Sequence, residues 1–300
     1  MKSLVFLLLA GVAFAGESVR APSADKADAL FWSTFHGARY AEIDHALAAE
    51  TAAYLEAPTD AVTAAHVGWL HMWRLGERAR LPRTAATITD DAVLARKYFA
   101  RAVQLDPQDA RYAGFLAAAE LSEAALDHDV ELARRGAATM KDAVAAWPEF
   151  NLFTAGYVAS ALPAASPEFA AGLEQQWQNI EVCIKQKIDR KHPGYAGFMA
   201  LETKVGHERA CWNSPIAPHN LEGFFLNMGD MLVKSGDWRT ARAIYANARV
   251  SKEFASWRYR DVLADRIAHA EANVAAFAKP DAKIMINSSF ACMACHEDRP

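Results

Sequence analysis

The sequence predicts an all-α fold in which paired helices form a solenoid. Alanine is abundant, glycine contributes only 15 of the 300 residues, and no stretch shows sustained period-two alternation of apolar and polar residues. Apolar residues instead recur at helical spacing through most of the chain between residues 25 and 278. Many paired helices with short connections are typical of an α-solenoid.

Amphipathic helices follow from this periodicity, and turn residues separate them. Asp106-Pro107, Trp147-Pro148 and Ser235-Gly236-Asp237 are examples of such stops. The predicted helices cover residues 25–37, 41–56, 60–78, 90–104, 109–125, 128–146, 150–161, 167–188, 219–235, 238–250 and 252–278.

One helix pair carries a recognisable pattern of small and large side chains. Its first helix places Gly229 after Phe225 and Met228, and its second helix places Tyr245 four residues after Ala241. The small residues allow two antiparallel helices to touch, and the aromatic rings fill the gaps beside them. This pattern resembles the tetratricopeptide repeat (TPR), and the resemblance implies a TPR-like helical-hairpin solenoid.

A second unit with the same resemblance lies near residues 60–110. Its second helix carries Ala95 and Phe99 at the repeat's spacing, and we expect Gly76 to be the small residue of its first helix. Gly76 precedes Ala95 by nineteen residues, against twelve between the corresponding residues of the first unit. This interpretation implies a seven-residue insertion. The resemblance to the TPR family covers roughly residues 60–110 and 217–253, and helix pairs between them match it less well.

The helical body is expected to cover residues 16–278, with one interruption. Residues 189–219 contain three histidines, three prolines, a cysteine and a tryptophan, which is typical of an irregular insertion. Long insertions in compact domains are often functional, so we expect this one to line the functional site. Residues 279–300 form a tail, predicted to lie extended across the solenoid.

The first fifteen residues predict export. Lys2 precedes an apolar run of about ten residues, and Ala13-Phe14-Ala15 provides a small-x-small end. Residues 1–15 are therefore a predicted signal peptide, and the protein is expected to be periplasmic or secreted with no membrane span in the mature chain. The alternative is a retained N-terminal membrane segment, although about twenty apolar residues are needed to span a bilayer.

The charge balance argues against nucleic acid as a partner. The chain carries a formal net charge of −4, and removal of residues 1–15 takes away Lys2, which leaves −5. An acidic protein lacks the positive field that attracts phosphate backbones.

The C-terminal sequence Cys292-Met293-Ala294-Cys295-His296 has the spacing of the c-type haem attachment motif. The thiols of Cys292 and Cys295 would each bond a vinyl group of the porphyrin, and His296 would be the proximal ligand of the iron. The predicted export makes this spacing a more specific indication of haem attachment. The motif resembles that of c-type cytochromes, and the resemblance implies one covalent haem c.

Three other interpretations of the Cys292 and Cys295 pair remain open: a disulfide, half of a zinc site, or a thioredoxin-like redox pair. A zinc site needs about four ligands, and no second Cys-x-x-Cys accompanies this pair. A thioredoxin-like pair would occupy a βαβ unit, which the helical pattern does not predict. The other two cysteines, Cys183 and Cys211, can form a disulfide in an oxidising compartment, the alternative being two buried free thiols.

A second iron ligand has to come from upstream of the motif, since only four residues follow His296. Among the histidines of the insertion we rank His219 first, His207 second and His192 third, because irregular backbone can direct a ring without bending a helix. Histidines within predicted helices, such as His36, are expected to be surface or hydrogen-bonded residues.

The predicted function is that of an exported mono-haem c-type cytochrome that transfers single electrons to or from a protein partner. No catalytic residue is predicted, because the chain contains no nucleophile elbow, phosphate loop or His-Glu-x-x-His. Two alternatives are a TPR-like protein-binding module with a structural or redox-active cysteine pair, and a haem enzyme or ligand sensor with an open sixth site. Arg209 or Arg258 would be candidate polarising residues in the last case.

Overall fold

A computed structural model of the protein describes residues 20–80, 83, 86–279 and 292–298, and this part of the chain is helical and contains no strand. The predicted all-α fold is thereby confirmed. The α-helices are α1 (Ala24–His36), α2 (Ile43–Glu56), α3 (Ala61–Gly76), α4 (Asp90–Leu105), α5 (Ala110–Asp127), α6 (Val130–Ala146), α7 (Pro148–Ala159), α8 (Pro167–Ile184), α9 (Asn220–Lys234), α10 (Trp238–Ala246), α11 (Arg260–Phe277) and α12 (Met293–His296). The predicted signal peptide and residues 280–291 of the predicted tail lie outside the described residues.

Successive helices pack as pairs: α1 on α2, α3 on α4, α5 on α6, α7 on α8 and α9 on α10. The first helices of neighbouring pairs also meet, since α1 contacts α3, α5 contacts α7, and α9 contacts α11. Successive hairpins in which first helices contact each other form an α-solenoid, and this arrangement is compatible with a TPR-like helical repeat.

Five of the α-helices begin at a short polar side chain that caps free backbone N–H groups. Side-chain oxygens accept hydrogen bonds from the first turns of α3, α5, α6, α8 and α10, and the capping residues are Asp60, Asp109, Asp129, Ser166 and Asp237. Each capping residue lies in the turn between two helices, so it determines the residue at which the following helix begins. The chain also ends α8 earlier than predicted, because Lys185 adopts a left-handed conformation at φ 58°.

Four second helices present the same pattern of buried side chains to their partners. Positions i, i+4 and i+7 are Ala95/Phe99/Ala102 on α4, Gly136/Met140/Ala143 on α6, Gly172/Gln176/Asn179 on α8, and Ala241/Tyr245/Ala248 on α10 and the 3-10 turn after it. Within the last pair the ring of Tyr245 fills the space beside Gly229, where a Cβ atom would overlap it. The first residue of each set lets the two backbones approach, and the second residue fills the gap between them.

The predicted role of Gly76 is wrong. Phe99 packs on Gly68, where a Cβ atom would lie 3.1 Å from the ring, whereas a Cβ atom at Gly76 would have no other described atom within 4 Å. The two glycines are eight residues apart, about 80° around the helix, so both fit within one broad apolar stripe and the periodicity does not separate them. Ala95 follows Gly68 by 27 residues, and the insertion between α3 and α4 is therefore fifteen residues long rather than seven.

The segment between α8 and α9 is irregular, with 3-10 helices at Ala196–Leu201 and His207–Cys211. A disulfide joins Cys183 at the end of α8 to Cys211, with a Cα–Cα distance of 5.6 Å. Trp212 follows this disulfide and is almost fully buried in the largest apolar cluster, which also contains Phe225 and Trp257. The bridge and the tryptophan together fix the irregular segment against the helical pairs.

The predicted helix over 252–278 forms only from Arg260 onward. A short 3-10 helix at Lys252–Ala255 precedes it, and the ring of buried Trp257 lies between the two. Trp257 packs in the largest apolar cluster and donates a hydrogen bond that is described below. The predicted helix is interrupted at this residue. None of the helices in the described part of the chain combines the length and the apolar character that a bilayer crossing requires.

The contact between Gly229 and Tyr245 makes a stability prediction. We expect G229A to lower the free energy of unfolding by about 1–3 kcal/mol, because the added methyl group overpacks the α9–α10 interface. The matched variant G76A should be neutral or stabilising by up to about 1 kcal/mol, because alanine favours helix and the site has room. Urea unfolding measures both. Equal losses would contradict the assigned packing.

A buried carboxylate on α9 predicts a pH dependence. Asp230 accepts hydrogen bonds from the Tyr245 hydroxyl (2.7 Å) and Arg266 Nε (3.1 Å), yet burial raises its pKa from 3.8 to about 6. The folded state holds this proton more tightly than the unfolded state does. The tighter proton binding at Asp230 therefore adds up to about 3 kcal/mol to the free energy of unfolding below about pH 4. This addition is lost as the pH rises through about 6.

The difference in unfolding free energy between wild type and D230N, measured from pH 4 to 7.5, should show this loss. D261N, at an exposed position of α11, is the control for removing a carboxylate. A D230N difference that changes with pH no more than the D261N difference would mean that the Asp230 carboxyl group titrates alike in both states.

Candidate functional site

The cysteine-containing segment at the C-terminus lies against the helical body as a single helical turn, α12. Two backbone carbonyl oxygens and one backbone amide of this region form hydrogen bonds with separate parts of the body. The His219 N–H donates to Cys295 O (3.0 Å), the Trp257 indole N–H donates to Ala294 O (2.8 Å), and the Asp298 N–H donates to His36 O (2.9 Å). Because the residue before α9, the last residue of α1 and the segment before α11 each contribute one bond, the turn has one defined position.

Close approach between α9 and this turn depends on Gly223. A Cβ atom at position 223 would overlap Cys295 Sγ and would lie 2.8 Å from the carbonyl carbon of Ala294. Cys295 is buried here, with its sulfur 4.0 Å from Asn220 O. Glycine is therefore the residue that lets the first turns of α9 accommodate the motif.

Glu297 continues the motif and is almost fully buried. Its carboxylate accepts a hydrogen bond from Arg258 Nη1 (2.5 Å) and another from the Tyr259 hydroxyl (2.6 Å). Burial and the Glu297 charge both raise the pKa of Tyr259, so its hydroxyl remains a donor at neutral pH. A cavity of about 310 Å³ lies beside this carboxylate, and its lining includes Tyr40 and Arg80.

The two thiols of the motif are not joined to each other, in contrast to the bridged pair Cys183 and Cys211. Burial, with an addition from the Glu77 charge, raises the pKa of Cys292 to about 12. Burial and the neighbouring Cys292 also raise the pKa of Cys295. Both thiols are therefore neutral at pH 7, and neutral thiols are weak nucleophiles and poor metal ligands.

His296 is oriented by a backbone carbonyl. Its Nδ1 lies 2.8 Å from Ile216 O, and Phe35 packs beside the ring at a centroid distance of 4.8 Å. Burial lowers the pKa of His296 to about 4, although the Ile216 bond acts in the opposite direction. The ring is therefore neutral at pH 7, with Nδ1–H donating to the carbonyl and the lone pair on Nε2. This is the arrangement of a metal-ligating histidine.

His36 occupies a place that the sequence did not predict. Its Nε2 lies 3.1 Å from the same Ile216 oxygen that His296 uses, and its own carbonyl binds Asp298. His36 is thus a hydrogen-bonded histidine, which is one of the two expectations for helix histidines, but its contact with the motif was not predicted. No signal in the sequence marks it, because the contact depends on where the end of α1 meets the irregular segment.

Of the three histidines ranked as second iron ligands, the structure brings His219 against the motif. His219 is buried, its backbone N–H binds Cys295, and its Nδ1 lies 3.4 Å from Glu222 Oε1. His207 stacks on Trp147 at a centroid distance of 4.5 Å and accepts a hydrogen bond from the Trp147 indole through its carbonyl oxygen. His192 is exposed and pairs with Asp189.

A buried polar network supports His219 from the side of α9. Glu222 accepts hydrogen bonds from Ser251 Oγ (2.6 Å) and Asn213 Nδ2 (2.9 Å), and Asn213 Oδ1 accepts one from the Leu221 N–H (2.8 Å). This network joins the irregular segment to the first turn of α9, so it holds both the carbonyl that orients His296 and the helix that receives Cys295. Sequence patterning did not identify these residues.

The motif's donor atoms do not form a compact metal cluster. Within the described ranges, one group of three His, Cys, Asp or Glu side chains brings its ligand atoms within 4.8 Å of one another, and it consists of Asp28, Glu50 and His66. A zinc ion held jointly by Cys292, Cys295 and His296 is thus not preformed.

Comparison with known proteins finds no protein-family model that matches this chain. No curated protein matches it in sequence either.

The Glu297 contacts predict how firmly the motif is held. We expect E297A to increase amide hydrogen exchange at Asp298 and His219 by at least about tenfold, because Arg258 and Tyr259 lose their acceptor, at a cost of about 1–3 kcal/mol. Exchange measured by mass spectrometry on C-terminal peptides checks this. E271A, at an exposed position of α11, should leave exchange unchanged. Unchanged exchange in E297A would show that the backbone bonds alone hold the motif.

Proposed function

We propose that this protein is an exported mono-haem c-type cytochrome with a TPR-like body, which transfers single electrons to or from a protein partner. The observation that carries the proposal is the pairing of the Cys292-x-x-Cys295-His296 spacing with the hydrogen bond from His296 Nδ1 to Ile216 O. The spacing is the one that c-type haem attachment requires. The hydrogen bond leaves Nε2 as the ligand atom and increases its basicity.

The residues present fit this cofactor by the chemistry of their donor set. Both thiols are free, as thioether formation requires, and the imidazole is neutral. Cys292 and Cys295 would hold the porphyrin, and His296 would hold the iron. The haem, when bound, supplies a one-electron iron couple.

The chain's own residues would tune that couple through hydrogen bonding and burial. Ile216 O orients His296 and is also contacted by His36, and Phe35 packs beside the His296 ring. His219 is the candidate for the second ligand, since it is the histidine of the irregular segment that lies against the motif. A histidine in that position would give a lower potential than a methionine.

Export is supported by the bridge between Cys183 and Cys211, because disulfides persist in oxidising compartments. The alternative of a binding module with a redox-active Cys292 and Cys295 pair is less well supported. A reactive pair requires at least one thiol of lowered pKa, whereas burial raises both. The zinc alternative is weakened by donor atoms that do not converge.

The test is an absorption spectrum with a pyridine haemochrome assay, on protein exported from a strain that matures c-type cytochromes, together with intact mass. We expect a covalent c-type spectrum and one added haem per chain. C292S/C295S should lose the covalent haem, whereas C183S/C211S should retain it, because that pair forms the structural bridge. A colourless protein from such a strain would refute the proposal.

The spin state then separates the remaining alternatives. A six-coordinate low-spin spectrum that becomes five-coordinate and high-spin in H219A supports electron transfer with His219 as ligand. H207A is the matched control and should keep the wild-type spectrum, because its ring stacks on Trp147. A high-spin wild type that binds carbon monoxide would instead favour a ligand sensor or haem enzyme.

A further inference from the structure

Three side chains from different helices converge at the N-terminal end of the body, away from the cysteine motif in sequence. His66 of α3 places Nδ1 2.8 Å from Asp28 Oδ1 of α1 and 3.2 Å from Glu50 Oε1 of α2. Phe31 stacks on the imidazole at a centroid distance of 4.2 Å and an interplanar angle of 9°. The ring is thereby held with one nitrogen directed at two carboxylates.

Glu50 contributes a buried oxygen without a partner to this group. The residue is fully buried, and its second oxygen, Oε2, is shielded from solvent without a hydrogen-bond partner in the described chain. A buried carboxylate oxygen with no partner is costly. Such an atom beside a histidine and a second carboxylate is what a metal-binding site presents before its ion is bound.

The charges around the group also favour a cation. Four carboxylates lie here, and they belong to Asp25, Asp28, Glu50 and Asp60. The positive groups that face them are Arg20 and, when it is protonated, His66. Arg20 binds Asp28 through Oδ2, which leaves Oδ1 directed at His66. A divalent cation would offset the negative charge that remains.

We propose that Asp28, Glu50 and His66 form a structural binding site for a divalent transition-metal cation of the zinc class. The ligand atoms are Asp28 Oδ1, the Glu50 carboxylate and His66 Nδ1, and water completes the coordination. Two carboxylates and one imidazole are ligands that Zn²⁺ accepts.

Binding of the ion requires only a small increase in the distances from His66 Nδ1 to the two carboxylate oxygens. Metal–ligand distances of 2.0–2.2 Å in a tetrahedron place neighbouring ligand atoms about 3.3 Å apart. The present separations from His66 Nδ1 are 2.8 and 3.2 Å, so the ligands need to move apart by a few tenths of an ångström. Because each ligand belongs to a different helix, the ion would join α1, α2 and α3.

The chain contains a matched control for this site. His71, also on α3, places Nδ1 2.8 Å from Asp91 Oδ1, and it too is buried. Its Asp91 partner is approached by Arg74 at 3.6 Å, and no second carboxylate from another helix joins the pair. His71 is therefore a buried histidine–carboxylate pair that lacks the third ligand of the proposed site.

The experiment is a Zn²⁺ titration of the full chain after EDTA dialysis, followed by calorimetry and by thermal unfolding. We expect one Zn²⁺ per chain and a higher Tm with zinc. E50Q and H66Q should each weaken zinc binding at least tenfold, whereas H71Q should leave it unchanged. Circular dichroism confirms that the variants are folded.

The cysteine motif is a competing source of zinc binding, and C292S/C295S separates the two. Zinc binding that persists in C292S/C295S and is lost in H66Q supports the proposal. Binding lost in C292S/C295S and kept in H66Q overturns it, and so does the absence of zinc binding to wild type.

A readout on unaltered protein keeps the proposal testable even where a variant fails to fold. Co²⁺ substituted at this site should show d–d absorption without the thiolate charge-transfer band that cysteine ligands produce. A thiolate band would overturn the proposal. The E50Q and H66Q outcomes do not depend on whether the chain carries haem, because Asp28, Glu50 and His66 lie outside the cysteine motif.

Discussion

The structure depends on close contact between helices within each pair. Four second helices place a small residue at the point of closest approach and a larger buried residue one turn later, as in the Gly172/Gln176 and Ala241/Tyr245 pairs. Helices held this closely leave few voids, so the position of each hairpin determines that of the next. A small residue also permits the contact between the body and the C-terminal motif, because Gly223 allows α9 to approach Cys295.

The body therefore acts as a binding surface for the end of its own chain. The irregular segment between α8 and α9 supplies Ile216 O for His296, and α1 supplies His36 O for Asp298. The disulfide at Cys211 and the network around Glu222 fix this segment. Elements far apart in sequence thus set the orientation of one imidazole ring, which local sequence could not have arranged.

The limits of the sequence prediction follow from the range of the interactions involved. Helix periodicity and the cysteine spacing are local patterns, so the all-α fold and the motif itself could be identified directly. Gly76 was predicted to be the small residue of α3, whereas the position of Phe99 assigns that role to Gly68. His36 and Glu297 were missed for a related reason, since their partners are contacts across the fold rather than neighbours along the chain.

Two buried histidines show how the acceptor of one ring nitrogen determines the chemistry of the other. For His66, burial lowers the pKa, but the hydrogen bonds that Nδ1–H donates to Asp28 and Glu50 outweigh it and raise this pKa to about 9, so the ring is protonated at neutral pH. For His296 the acceptor is the neutral carbonyl of Ile216, which cannot offset the cost of burying a charge. That ring stays neutral with Nε2 available. The carboxylates thus favour a cation at the first histidine, and the carbonyl prepares the second to be a ligand.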